Sequence, residues 1–341
     1  MYITEILVNL FPGAIYLLFL VGFFLLIKGA DLLVDGGVAL ARRLNISELV
    51  IGLTIISFGT SMPELVVNVL ASLENSHSLA IGNIIGSNIA NILLILGVSA
   101  TIRSIKVKSS TVTNELPLSI VAVFILAILA NDRYFVRESP SLLSRGDGLV
   151  LLTFFGIFIY YSLGIARLHP GTQPNEDSGA TTRLFPAIVS ILAGLLFLFL
   201  GGEWIVKGAV HIARQVGVGE MFIGLTVVAL GTSLPELAAS VMAVLKNKGD
   251  LAIGNVVGSN IFNIFWILGV SSLINPIPFG AESNSDLLVA FIAGVILFAF
   301  FYLGRYHELE RYQGAVLTFF YVVYVIVLIF MAGQQSMKAI P

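Results

Sequence analysis

The sequence predicts an all-α polytopic membrane protein: ten transmembrane helices arranged as two inverted five-helix repeats, with broken helices meeting at the midplane. Three observations predict it. The 341 residues are 57% hydrophobic and 11% charged, with a mean hydropathy of +0.98, whereas soluble domains carry about 25% charged residues. A 49-residue stretch beginning at Ile51 returns at Ile223, offset by 172 residues without a gap, with 30 of 49 positions identical. An odd number of spans separates the two copies.

A membrane span needs about 20 mainly apolar residues. Reading from charge to charge gives ten spans, at about 12–41, 46–73, 79–102, 112–131, 147–168, 184–213, 219–245, 250–275, 286–304 and 312–333. The first apolar run lacks the basic flank and small-residue cleavage pattern of a signal peptide and is expected to be retained. The first and sixth spans are unusually long, which predicts strong tilt or extension past the bilayer. The polar stretch from His169 to Arg183 reads as a flexible connection. It divides the chain into a first repeat, 1–168, and a second, 184–341, joined by 169–183.

Span two matches span seven, an offset of five, so equivalent helices cross in opposite directions; this is the plan of many secondary transporters. The relation extends upstream. Gly29, Ala30 and Asp31 align with Gly201, Gly202 and Glu203, and Arg42 aligns with Arg214. Eleven Lys and Arg fall in loops on one side and five on the other, with Lys28 and Lys207 inside spans. That bias places both termini outside a cell (inner) membrane. No basic tract suggests nucleic acid, and the absence of cysteine excludes thiolate metal sites.

The chemistry concentrates in Gly59-Thr60-Ser61-Met62-Pro63-Glu64 and its copy Gly231-Thr232-Ser233-Leu234-Pro235-Glu236. A mid-span proline removes one backbone N–H and displaces the carbonyl a turn earlier. Carbonyls near Ser57 to Thr60, and near Ala229 to Thr232, are therefore expected to be free. Free carbonyls, hydroxyls and a carboxylate in one turn make a hard-oxygen site. Inversion brings Glu64 toward Glu236, and two buried carboxylates repel unless a cation lies between them. Calcium takes about six to eight oxygens and suits such a cage better than magnesium, which keeps its waters.

A second element, Gly82-Asn83 through Gly86-Ser87-Asn88 to Asn91, returns as Gly254-Asn255 through Gly258-Ser259-Asn260 to Asn263. Ser87 and Asn91 share a helical face, as do Ser259 and Asn263, and offer neutral oxygens beside the acids. Gly86 and Gly258 are expected to let this helix approach its broken neighbour.

These motifs resemble the alpha-repeats of the sodium/calcium exchanger family, part of the calcium/cation antiporter superfamily; the small size resembles a prokaryotic member. The resemblance implies that Glu64 and Glu236 coordinate Ca2+ and also serve Na+, with carbonyls at Thr60 and Thr232 completing the calcium site. It implies flanking Na+ sites at Ser57, Thr60 and Ser87, and at Ala229, Thr232 and Ser259. Ser61, Ser233, Asn91 and Asn263 would line the centre. Some members carry aspartate where this chain has Asn263, which weakens any claim for potassium co-transport. The implied activity is antiport of Ca2+ against Na+, with the ions as substrates, no cofactor and a monomer sufficient; long spans one and six would slide across eight static helices. A Ca2+/H+ antiporter is the alternative.

Blander readings compete. Polar glue between helices competes with the favoured ion-site reading for Ser87, Asn91, Ser259 and Asn263, and Asn88 and Asn260 divide between supporting the site and joining helices. Lys28 with Asp31, and Glu203 with Lys207, read as local ion pairs. Trp204 and Trp266 read as lipid-facing or interfacial anchors. The four histidines have no metal-ligand spacing, and no enzyme constellation is present in the spans.

Overall fold

The computed structural model describes residues 13–134, 141–168, 184–217 and 229–338. Its helices follow the apolar runs in order: α1 (Ala14–Leu44), α2 (Glu48–Thr60), α3 (Met62–Leu73), α4 (His77–Ile102), α5 (Thr111–Leu129), α6 (Arg145–Leu168), α7 (Leu184–Gln215), α8 (Ala229–Gly231), α9 (Leu234–Leu245), α10 (Gly249–Ile274), α11 (Ser283–Phe300) and α12 (Arg311–Lys338). Eight are long and apolar enough to cross a membrane, and α2 with α3 form a ninth crossing bent by 46°. Most of the segment expected to enter the membrane ahead of α9 lies outside the described residues. The connection 169–183 lies outside them too.

The bend sits where proline demands it. Pro63 opens α3 and Pro235 opens α9, each in the first turn, where a missing N–H is harmless. The preceding helix stops because Pro63 offers no donor to the Gly59 carbonyl. π-helical turns loosen the neighbouring segments at Gly52–Ile56, Asn91–Leu96 and Phe262–Leu268. Such turns are frequent at functional sites.

α4 and α10 form the interior, with 72% and 78% of their apolar windows buried, whereas α12 buries 11% and faces outward. Loops cluster on two sides. On one, Lys248 pairs with Glu48 at 2.7 Å and the Lys108 amide donates to Asp250 at 3.0 Å; β1 (Ile105–Lys106) pairs antiparallel with β4 (Glu308–Leu309). On the other, Asn275 donates to Asn75 Oδ1 at 2.9 Å, and β2 (Leu142–Leu143) pairs with β3 (Ile277–Pro278).

α1 and α7 pack along their length on a glycine seam. Gly22, Gly29 and Gly36 recur every seven residues, as do Gly194, Gly201 and Gly208, and the two sets obey the 172-residue offset. A Cβ on Gly29 would stand 2.8 Å from the Gly194 carbonyl, and one on Gly201 would stand 2.8 Å from the Gly22 carbonyl. The sums 29 + 194 and 22 + 201 are equal, so the helices run antiparallel. Without side chains at the seam the backbones approach closely, as small residues allow in membrane helix pairs.

Two expectations need correction. Trp266 is packed against Phe58, Phe155 and Phe262, and Trp204 Nε1 is buried, so neither is a simple lipid anchor. Asp31 pairs with Lys28 at 3.6 Å as expected, but it also binds Lys246 at 2.6 Å. Gly254 and Gly258 press against α2 as expected, where added Cβ atoms would meet the Leu49 and Leu53 carbonyls at 2.8 and 2.7 Å; the segment that Gly82 and Gly86 would meet lies mostly outside the described residues.

Candidate ion site at the helix breaks

Glu64 and Glu236 occupy the first turns of α3 and α9, and each is 1% exposed. A helix N-terminus presents unpaired N–H groups and favours a negative charge, which partly offsets the cost of burying a carboxylate. Among the described residues no Lys or Arg pairs with either acid. The serines at the breaks link the repeats instead: Ser61 donates to Glu236 Oε1 at 3.1 Å and Ser233 to Glu64 Oε1 at 3.5 Å. These are equivalent bonds under the 172-residue offset. Each carboxylate therefore reaches a serine that lies within one turn of the other carboxylate. Ser233 Oγ is also 3.4 Å from Ser87 Oγ.

The asparagines interlock in the same crossed manner. Asn91 donates through Nδ2 to Asn260 Oδ1 at 2.9 Å, and Asn263 donates through Nδ2 to Asn88 Oδ1 at 2.9 Å. Asn88 Nδ2 in turn donates to the Asn260 carbonyl at 3.3 Å. With their nitrogens held, Asn91 Oδ1 and Asn263 Oδ1 are buried and accept no hydrogen bond. The same holds for Glu64 Oε2, Glu236 Oε2, Thr232 Oγ1 and Ser259 Oγ. Buried polar groups are normally satisfied. Six oxygens from the expected residues, two of them carboxylate, are instead left without a protein partner.

Ser57 and Thr60 behave differently. Ser57 is fully buried but returns its hydroxyl proton to the Leu53 carbonyl at 2.8 Å, leaving only lone pairs to offer. Thr60 donates to Asn255 Oδ1 at 3.1 Å. The expectation of free carbonyls fails at two points: Ser57 O accepts the Ser61 N–H at 3.0 Å, and Leu230 O accepts the Ser233 N–H at 3.2 Å. Each broken helix completes one more turn before it stops, so a proline frees the carbonyl four residues back, at Gly59 or Gly231, rather than the whole turn. Ala229 begins the short helix α8.

Sequence reasoning missed Asn255 and Asn68. Asn255 accepts from Thr60 and donates to Ser240 Oγ at 3.0 Å, tying α10 to both broken helices. Asn68, one turn beyond Glu64, is 0% exposed with neither side-chain atom partnered. The signal for Asn255 was present: Asn83, Ser87 and Asn91, like Asn255, Ser259 and Asn263, are spaced by four and share one face. Among the described residues no three His, Asp or Glu side chains cluster as a metal centre, so the two glutamates stand with neutral oxygens alone.

A cavity of about 230 Å³ reaches this region between α7 and the breaks, lined by Pro63, Glu203, Val206, Lys207, Thr232 and Pro235 among others. On the opposite side α1 packs along α9.

Residues 14–164 and 186–330 match the sodium/calcium exchanger protein family. The chain is 34% identical over 327 residues to the inner membrane protein YrbG of Escherichia coli, covering 91% of this chain and 95% of that one. It is 31% identical to the sodium/calcium exchanger MaX1 of Methanosarcina acetivorans, covering 92% and 98%. A more distant relative, the Ca2+/H+ antiporter ChaA of Bacillus subtilis, is 24% identical and covers 80% of this chain and 81% of its own length. Solved structures of the sodium-calcium exchanger NCX_Mj superpose with a TM-score of 0.78 at 33% identity, covering 92% of this chain and 99% of that one. The chain belongs to the sodium/calcium exchanger family and is a transmembrane antiporter of prokaryotic type.

Proposed function

We propose that this member of the family exchanges Ca2+ for Na+ across the cell inner membrane, using Glu64 and Glu236 as shared ligands for both ions. The observation that carries the reading is the group of unpartnered buried oxygens around two carboxylates that have no basic partner among the described residues. Two glutamates balance one Ca2+ or two Na+. Thr60, Ser57, Ser87 and Ser61 would serve from the first repeat, and Thr232, Ala229, Ser259 and Ser233 from the second, with Asn91 and Asn263 at the centre. An empty site would carry two uncompensated charges through the hydrocarbon region, which is costly. Only a loaded protein then changes access, and the two fluxes are coupled without a covalent step.

The layout is ten crossings in two inverted repeats, 1–168 and 184–341 joined by 169–183, with both termini outside and one chain sufficient for exchange. The antiparallel glycine seam of α1 and α7 supports it, because equivalent helices there run in opposite directions. Their smooth contact also suits sliding across the remaining helices. A second reading, Ca2+ against H+, is favoured by the same pair of acids and by the likeness to ChaA. The neutral hydroxyls and amides around the acids favour Na+, since a proton requires no such cage.

The test is 45Ca uptake into proteoliposomes driven by a Na+ gradient, and separately by a pH gradient alone. Uptake driven by Na+ and absent with protons is expected. Uptake driven only by protons selects the second reading, and flux without a counter-ion rejects both.

A further inference from the structure

Asn88 and Asn260 face away from the two glutamates in sequence order, yet each holds the amide of a central asparagine on the other repeat. An asparagine amide can present either its oxygen or its NH2 group to a cation; only the oxygen binds. Asn88 is itself oriented twice, donating to the Asn260 carbonyl and accepting from Asn263. Its Oδ1 must therefore meet a donor, which forces Asn263 to turn its nitrogen toward Asn88 and its oxygen the other way. That oxygen is the buried, unpartnered Asn263 Oδ1, and Asn91 Oδ1 is its counterpart.

We infer that Asn88 and Asn260 are positioning residues that fix amide orientation at Asn263 and Asn91, and so make neutral side chains serve as cation ligands. The inference rests on the ion-site reading above. It also assigns a cause to the asparagine at 263: a carboxylate there would set its lone pairs against Asn88 Oδ1.

The double-mutant test uses the whole chain in proteoliposomes. Asn88→Leu is expected to raise the KM for Ca2+ by about tenfold, the scale for removing a group that orients a metal ligand. In an Asn263→Asp background the same change should move KM by less than about twofold, because a carboxylate has no nitrogen to misdirect. Asn260→Leu tested with Asn91→Asp provides the mirror cycle if the first variant fails to fold. Equal cost in both backgrounds, or a fall in maximal rate with KM unchanged, would mean helix glue and overturn the inference. Wild-type protein that exchanges no Ca2+ would instead overturn the ion-site reading.

A separate observation carries a second inference. Lys246, which caps α9, bridges Asp31 and Asp35 of α1, both at 2.6 Å. Under the 172-residue offset Lys246 corresponds to Glu74, Asp31 to Glu203 and Asp35 to Lys207. The charges at two of the three positions are exchanged, so attraction is preserved. Local geometry matches too: the next residues, Asn75 and Asn247, have φ of 59° and 60°. Here Glu74 is exposed, and Lys207 pairs with Glu203 of its own helix at 2.7 Å. The Lys246 bridge lies at the end where α1 packs on α9, and the cavity lined by Glu203 and Lys207 lies toward the other end.

The structure assigns these groups as two alternating ionic latches, Lys246 to Asp31 and Asp35 on one side and Glu74 to Lys207 on the other. Closing one opens the other as the α1–α7 pair shifts. The chain has no cysteine, so introduced pairs report directly. Asp35→Cys with Lys246→Cys, and Lys207→Cys with Glu74→Cys, should each be joined by a short bis-methanethiosulfonate cross-linker, which spans the length lost with the lysine side chain and stops 45Ca exchange until reduced. The four-cysteine protein should form only one of the two per molecule. No cross-link in the Glu74 pair under any ion condition, or both in one molecule, would overturn the assignment. Lys207→Glu with Glu74→Lys is the folding control: each single change should slow exchange a few-fold, and the pair should restore it. Additive loss would count against the latch.

Discussion

The two halves of this chain carry nearly the same motif and yet are packed differently. Thr60 spends its hydroxyl on Asn255, whereas the Thr232 hydroxyl has no partner. Lys246 bridges Asp31 and Asp35 of α1, whereas its counterpart Glu74 is exposed. α1 lies along α9, and no comparable packing joins α7 to α3 among the described residues. Equal sequences in unequal surroundings mean that the asymmetry belongs to the arrangement, not to the residues. On the proposed inverted-repeat layout, a second arrangement is available in which the halves exchange roles.

The sharpest way to break the comparison is at the acids, where the halves are alike. Glu64→Gln and Glu236→Gln should each lower Ca2+ exchange by about 100-fold or more, the scale of stripping one partner from a buried charge pair. Size-exclusion profiles should stay unchanged. Wild-type flux in either variant would remove that residue from the site. Next comes the close approach of α10 to α2. Gly258→Ala places a Cβ 2.7 Å from the Leu53 carbonyl and should destabilise this arrangement by about 1–3 kcal/mol, as overpacking does. An unchanged melting temperature would contradict that close approach.

Smaller effects test the neutral ligands. Asn263→Asp adds a third carboxylate and should shift the preference between Ca2+ and Na+, or its pH dependence, by about tenfold; competition between the two ions in flux assays reads it. Indifference would place Asn263 outside the ion's reach. Thr232→Val deletes an unpartnered oxygen and should raise the KM for Ca2+ by about fivefold, the worth of one polar contact. Thr60→Val instead strands Asn255 Oδ1, so its loss should register mainly in thermal stability. Identical phenotypes in the two threonine variants would contradict the assignment.

Much of this was legible in the residues. Proline and glycine at 59–63 and 231–235 marked the breaks, because a mid-span proline lacks the N–H that would continue the preceding helix. The spacing of Ser87 and Asn91 marked a face. The pairings of those groups were not legible. Nothing in GSNIAN distinguishes an asparagine that binds an ion from one that holds its neighbour's amide. That division depends on which acceptor the opposite repeat presents, as Asn88 and Asn263 illustrate. The free carbonyls expected at Ser57 failed for a similar reason: the chain gained another turn before bending.

By itself the sequence determined the apolar helices, the repeat offset, the breaks and two acids without a basic neighbour in their motif. Those are consequences of covalent chemistry and of transfer from water to hydrocarbon, which act locally. Only the tertiary structure decided which oxygens were left unpartnered, which asparagine held which amide and which lysine bridged which aspartates. Hydrogen bonds and ion pairs depend on distances of a few ångströms between segments some 170 residues apart, and a repeated sequence cannot say which of its two copies is engaged.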